Sequence, residues 1–312
     1  MKRILCVGDA CADIVIPYGE ATRGAGAEPR FFPGGTVANT ASGLGRLGAN
    51  CAFLGKAGSD YFGKQMRASL ADDGVDVSRF LLDDTLSSVL VLVVIDEKND
   101  RFPFLMPRVK PSHLELFPRD LPDALLDSFD LVHTSGLMLF ENPAAESVCG
   151  FLERCRARGV EVSLDVNLRI ETAGQDFARL QRAVDCANYL LGSGPDELAP
   201  LAGLDDPDAA ARSLVRASRA VVCRMGAAGS RVYTADGVAS CSAFPVEIAD
   251  TLGAGDCFNS GFLFALASGA NLAAANVCGC GAAALNLTKS GARNGPTRAE
   301  LLDFLAQNGV TL

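Results

Sequence analysis

The chain predicts an α/β fold in which a central, mostly parallel sheet is covered by helices on both faces and accompanied by a small second sheet. Three observations predict it. Short apolar runs alternate with amphipathic helical stretches along most of the 312 residues. These runs are largely apolar, as strands buried on both faces should be. Two stretches break the rhythm and supply no helix of their own.

The predicted parallel strands are 4–7, 51–55, 131–133, 160–164, 189–191 and 220–223, each bounded by turns or helices. Helical periodicity fills 38–47, 63–72, 144–158, 177–186 and 208–217, and helices dominate the C-terminal part at 255–268, 272–287 and 298–307. The first odd stretch, about 13–33, carries apolar pieces at 14–16 and 31–32 separated by a glycine-rich loop. In the second, 88–107, the runs 89–95 and 101–106 flank Asp96-Glu97-Lys98-Asn99-Asp100, a hairpin pattern. Both are expected to build one small sheet from two insertions into a single domain spanning 1–312.

Composition narrows the function. The chain is 49% hydrophobic and 21% charged, as a globular protein should be, and its net charge of −9 would repel a nucleic-acid backbone. The N-terminal apolar run meets Gly8-Asp9 too early for a signal peptide. The longest Ala-rich stretch, 273–287, is too short to span a bilayer and carries Asn276 and Asn286. A cytoplasmic protein without membrane partners is expected. Eleven cysteines are scattered, with one Cys-x-Cys at Cys278 and Cys280, and His113 and His133 lie far from any of them in sequence. Buried thiols fit this pattern better than zinc ligands.

The most informative segment is Asp250-Thr251-Leu252-Gly253-Ala254-Gly255-Asp256. It follows a β-like run at 244–248 and opens an apolar helix. Its glycines let backbone N–H groups converge on one point, and the helix adds its unpaired first-turn amides, so an anion site is expected. Asp256 has two readings there. A first-turn carboxylate is a favourable dipole partner worth about 0.3–1 kcal/mol; beside a bound phosphate it is also placed to take a proton from a hydroxyl.

A second glycine loop, Gly34-Gly35-Thr36-Val37-Ala38-Asn39, precedes another helix. It would let a polyhydroxylated ligand approach the backbone, with Asn39 as donor and acceptor; alternatively it is an ordinary helix start capped by Thr36. Gly43-Leu44-Gly45-Arg46-Leu47-Gly48 matches G-x-G-x-x-G, but it lies late in a helix and before a strand, so the dinucleotide context is missing.

Taken together, Gly34-Gly35 with Asn39 and Asp250-Thr251-x-Gly-Ala-Gly-Asp256 resemble the two signatures of the ribokinase-like (PfkB) carbohydrate kinases. Gly8-Asp9 with Asp13 is similar to that family's first strand and sugar-binding aspartate. The segment Arg224-Met225-Gly226-Ala227-Ala228-Gly229 resembles its nucleotide loop, and Thr288-Lys289-Ser290-Gly291-Ala292 its adenine and monovalent-cation segment. The resemblance covers essentially the whole chain. It implies a Rossmann-like three-layer domain with a β-sheet lid, and ATP-dependent phosphorylation of a sugar. Asp13, Gly34, Gly35 and Asn39 would hold sugar hydroxyls, and Arg224, Gly226, Gly229, Thr251 and Gly291 the nucleotide. The amides of Gly253, Ala254 and Gly255 would stabilise the transferring phosphoryl group, Asp256 would be the base, and Mg2+ would bridge the phosphates. A monovalent cation such as K+ is a further implied cofactor. Where the family often carries Asn-x-x-Glu, this chain has Gly194-Pro195-Asp196-Glu197, which leaves Glu197 for a water-mediated magnesium network without the asparagine.

For the substrate, Asp165-Val166-Asn167-Leu168-Arg169 resembles the D-x-N-x-R segment of fructokinases and 2-keto-3-deoxygluconate kinases, and Arg108 follows the second lid strand. Two arginines would suit a carboxylate. Arg108 reads equally well as a solvated charge, and Arg169 is also placed to touch nucleotide phosphate. Glu141 either lines the nucleotide region or is surface charge. A ketose-type sugar is favoured over ribose or a nucleoside, a non-catalytic sensor is the alternative of a different class, and a homodimer through the lid is expected.

Overall fold

The computed structural model describes residues 1–16, 30–95, 101–105, 111–139, 141–167 and 178–310. In chain order its strands and helices begin with β1 (Ile4–Val7), β2 (Cys11–Ile16), β3 (Arg30–Gly34), α1 (Thr36–Arg46), β4 (Cys51–Gly58) and α2 (Tyr61–Asp72). Then come β5 (Phe80–Asp83), β6 (Val89–Ile95), β7 (Arg101–Leu105), β8 (Leu131–Ser135), α3 (Ala144–Arg158), β9 (Glu161–Asp165) and α4 (Ala178–Cys186). The rest are β10 (Tyr189–Ser193), α5 (Ala199–Ala202), α6 (Pro207–Leu214), β11 (Ala220–Arg224), β12 (Ser230–Tyr233), β13 (Val238–Cys241), α7 (Ala254–Ala267), α8 (Leu272–Leu287) and α9 (Arg298–Gln307).

Among the described residues, nine strands form one sheet in the order β13-β12-β11-β10-β9-β8-β1-β4-β5. Pairing is parallel from β11 to β5, with β12 and β13 added antiparallel at one edge. Successive residues of a strand face opposite sides. Ile4 and Cys6 therefore enter the core under α1, α7 and α8, while Leu5 and Val7 enter the core under α3 and α4. That double burial is why the strands read as largely apolar runs. The chain leaves β1 for β4 on one side and later returns to β8 on the other. This puts a topological switch beside β1, where ligands of open α/β sheets bind beyond the strands' C-terminal ends.

The two odd stretches meet as expected. Parallel pairing of β2 with β6 joins them, and the order β3-β2-β6-β7 makes a separate four-stranded sheet in which β6 and β7 form the antiparallel hairpin. Other expectations need correction. Residues 244–248 form no strand, because Pro245 cannot donate to a ladder. The helix expected over 208–217 stops at Leu214, where Val215 turns extended. Thr36 does not cap α1: Gly35 occupies that position and no side chain of its own caps it. The fingerprint-like glycines end α1, and the missing side chain of Gly43 lets α1 lie against Ser260 of α7. All eleven cysteines are free, nine buried and two (Cys11 and Cys241) half-buried. Among the described residues, no helix is long and apolar enough to cross a membrane.

Candidate active site

Parallel strands β1, β9, β10 and β11 end along one edge of the sheet near the switch, and residues at or just past their ends carry the polar chemistry. Just past β1, the buried Asp9 turns its carboxylate to the start of α1, accepting from the Thr36 N–H at 2.9 Å and the Val37 N–H at 3.2 Å. Gly35 makes this approach possible. Its φ is 100°, and a Cβ there would lie 2.7 Å from both the Ala10 Cα and the Asp9 carbonyl oxygen. Thr36 Oγ1, unused as a cap, accepts from Asn167 Nδ2 at 2.9 Å, and Asn167 itself adopts a φ of 40° just after β9. The absence of a Cβ on Gly34 leaves room for the Asp13 carboxylate of β2, which would lie 2.5 Å from one. Asp13, Gly34 and Gly35 thus form one corner.

One turn into α1, Asn39 donates through Nδ2 to Oδ2 of Asp256 at 2.9 Å, and Thr40 Oγ1 contacts the Asp256 carbonyl at 3.4 Å. The two glycine loops, more than 200 residues apart, are therefore joined through the carboxylate that the sequence singled out. Around it, Gly253 has a φ of 74°, and a Cβ there would collide with the Ala292 carbonyl. Asp250 holds the turn from below, accepting from the N–H groups of Leu252 at 3.0 Å and Gly291 at 2.8 Å, while Asn286 donates to the Leu252 carbonyl. Helix α7 begins at Ala254, so the amides of its first turn lack helical acceptors. Asp256 is half-buried, and its carboxyl is pushed up to about 8. Burial is the main cause; the Asn39 hydrogen bond and Arg224 pull it back, and Asp165 and Asp9 add to the rise.

Beside this turn, Arg224 at the end of β11 points inward. It donates to Asp165 Oδ1 at 2.7 Å, Glu197 Oε2 at 3.1 Å, Asn259 Oδ1 at 2.7 Å and the Gly255 carbonyl at 3.4 Å. Asn259 closes the ring by donating to Asp165 Oδ2 at 2.8 Å. Glu197 also accepts from the Ser193 N–H at 2.6 Å, and burial lifts it to about 7, against the pull of Arg224. The sequence placed Arg224 with the nucleotide; the structure ties it to two carboxylates and to the carbonyl of Gly255. Downstream, Gly226 is exposed, whereas Gly229 is buried where a Cβ would collide with the Cys241 carbonyl. Thr251 and Glu141 are exposed. Arg108 and Arg169 lie outside the described residues.

Asn259 and Arg293 carry contacts that the sequence reading did not assign. Asn259 had a signal, as a polar residue three positions after Asp256 in an apolar helix. Arg293, in the segment before α9, had none.

Comparison with known proteins bears on this geometry. A model of the pfkB family of carbohydrate kinases matches residues 1–299. A fructokinase of Klebsiella pneumoniae is 34% identical over 275 residues, 85% of each chain. An aminoimidazole riboside kinase of Salmonella typhimurium is 30% identical over 325 aligned positions, covering 99% of this chain and 97% of that one. A solved fructokinase double mutant of Vibrio cholerae O395, in a form with fructose, ADP and potassium ion bound, is similar in structure with a TM-score of 0.83, at 28% identity over 98% of both chains.

Proposed function

Because this chain belongs to the pfkB family of carbohydrate kinases and is a phosphotransferase acting on a sugar hydroxyl, we propose that it uses ATP and that Asp256 is the general base. The observation that carries this reading is the pairing of Asn39 Nδ2 with Asp256 Oδ2 at the open start of α7. With Oδ2 engaged, Oδ1 takes the proton of the sugar hydroxyl as its oxygen attacks the γ-phosphate in line. The proton leaves on a carboxyl whose surroundings already favour the protonated form. First-turn amides around Gly253, Ala254 and Gly255 receive the charge that spreads over the phosphoryl oxygens.

Asp13, Gly34 and Gly35 hold the sugar at the adjoining corner, and the small sheet closes over it as a lid. The nucleotide lies along the exposed Gly226 loop, with Thr251 and Gly291 on its other side. Arg224 reaches that side through its contact with the Gly255 carbonyl. Among the described residues, no group of three or more His, Cys, Asp or Glu side chains is arranged to hold a metal by itself. This suits Mg2+ held mainly by nucleotide phosphates and waters. Glu197 and Asp165, linked through Arg224, are the carboxylates that would orient those waters. When bound, the ion neutralises charge on the phosphates. A monovalent cation such as K+ would sit near 288–292.

The substrate is a ketose-type sugar, fructose or 2-keto-3-deoxygluconate, in line with the similarity to a fructokinase. The similarity to an aminoimidazole riboside kinase supports a second reading, a riboside as acceptor. A coupled ADP-release assay over fructose, 2-keto-3-deoxygluconate, ribose and nucleosides separates the two. On the best substrate, Asp256→Asn is expected to lower kcat by roughly 10²–10⁴ with sugar binding retained; near-normal kcat would remove Asp256 from the chemistry. The lid also offers the surface for a homodimer, with Phe32 partly exposed on β3; a monomer in sedimentation would contradict that assembly.

A further inference from the structure

Arg293 is a cation whose hydrogen-bond partners are all neutral. Its guanidinium donates through Nε to Asn39 Oδ1 at 2.9 Å, through Nη2 to the Gly34 carbonyl at 2.8 Å and through Nη1 to Ser69 Oγ at 3.4 Å. Among the described residues it makes no ion pair, whereas Arg46 and Arg224, also reaching inward, each find a carboxylate. Burial pulls it down to about 10, with Cys11, Asp73, Asp13 and Asp9 opposing from β2, the end of α2 and the end of β1. It therefore stays charged at neutral pH. Placing a charge in such a spot is costly unless each donor has a defined acceptor.

The chemistry of the three groups in line fixes their orientation. An arginine only donates, and an ionised carboxylate only accepts. An amide between them fits one way: carbonyl toward Arg293, NH2 toward Asp256. We propose that Arg293 is a positioning residue for the Asp256 carboxylate: by donating to Asn39 Oδ1 it locks the amide so that Nδ2 engages Asp256 Oδ2, leaving Oδ1 as the oxygen that receives the substrate proton. The same guanidinium tethers the Gly34 carbonyl, so one side chain sets the sugar corner and the base in register. Without it, the Asn39 amide is free to turn over and present its oxygen to Asp256, an arrangement tolerated only by the protonated carboxyl. The remaining charged groups around Asp256, namely Asp9 from β1, Asp165 from β9 and Arg224 from β11, are unchanged by this event. The inference rests on the reading of Asp256 as the base.

The test uses the full-length protein with its best sugar and ATP, comparing Arg293→Met, Arg293→Lys, Asn39→Ala, the Arg293→Met/Asn39→Ala double variant and Asp256→Asn. For Arg293→Met, kcat is expected to fall about 10–100-fold, as for other groups that orient a reacting residue from behind. The inflection of kcat against pH should move upward, and KM for ATP should stay unchanged. Arg293→Lys, which keeps a donor for Asn39, should recover part of kcat. In the Asn39→Ala background, Arg293→Met should cost little more, because its path to the base has gone. An unmoved pH inflection, or full additivity with Asn39→Ala, overturns the proposal. If Arg293→Met does not fold, Arg293→Lys decides through its coupling to Asn39: a kcat cost that disappears in the Asn39→Ala background supports the role, and a cost that persists there in full overturns it. Asp256→Asn with wild-type kcat would overturn the base itself. Asp256→Asn inactive beside an unmoved Arg293 profile would overturn only the positioning role.

Discussion

Helices α1 and α7 start alike and end with opposite chemistry in their first turns. Each follows a glycine of positive φ, Gly35 at 100° and Gly253 at 74°, and neither N-cap residue supplies a side-chain hydrogen bond. At α1 the gap is filled from another element, since both oxygens of Asp9 accept first-turn amides. At α7, among the described residues, no outside carboxylate takes that place; the acid at hand, Asp256, belongs to the helix and turns toward Asn39. One helix end is neutralised by the protein, and the one proposed for chemistry keeps first-turn amides suited to a ligand's charge.

The sharpest way to break this comparison is at Gly253. Gly253→Ala forces a side chain into positive φ and into the Ala292 carbonyl, at a strain of roughly 1–3 kcal/mol. It should also swing the amides proposed to meet the phosphoryl group, so kcat is expected to fall by about 10² or more. Gly255→Ala is the control. Gly255 is helical, and its Cβ would meet the Arg224 guanidinium carbon at 3.6 Å, an ordinary contact; its melting temperature should stay near wild type. Equal thermal losses in the two variants would contradict the account. At the other helix, Asp9→Ala is expected to cost about 1–2 kcal/mol in denaturant unfolding, with the same loss whether or not ATP is present. A loss that ATP repairs would mean that Asp9 serves the ligand and not the helix.

The sequence exposed the layers better than the contacts between them. Strands β1, β4, β8, β9, β10 and β11 announced themselves because burial on both faces favours predominantly apolar runs. The edge pair β12 and β13 did not, being four residues each, with β12 opening on Ser230 and Arg231 and β13 alternating exposed and half-buried positions. The stretch 244–248 misled because its apolar residues suggest a strand that Pro245 forbids. At the site, Asp256, Asn39 and the glycines were readable from local turn chemistry. The role of Asp9 was not, since the amides it satisfies lie 27 and 28 residues away. The ring of Asp165, Glu197, Arg224 and Asn259 draws one residue from each of four segments, and its closure depends on parallel register, which places Ser135 beside Asp165 and Ser193 beside Arg224. No local pattern encodes such a meeting.

The smallest expected effect concerns protonation at the open end. A carboxyl whose folded value is raised to about 8 binds a proton in the folded state that the unfolded chain has released above its ordinary range near 4. Its contribution to stability is therefore complete below about pH 4 and is lost as pH rises toward 8. Water in the cleft screens the charge, which leaves an effect on the order of 1 kcal/mol. Asp256→Asn does not titrate, so its melting temperature without ligands should match wild type at pH 4 and exceed it by a growing margin up to pH 8, then level off. Over the same interval, wild-type kcat/KM for the sugar should climb as the proposed base ionises in the free enzyme. Wild type and Asp256→Asn melting in parallel across pH 4–8 would mean that the carboxylate at α7 is as well satisfied as the one at α1, and the contrast between the two helix ends would fail.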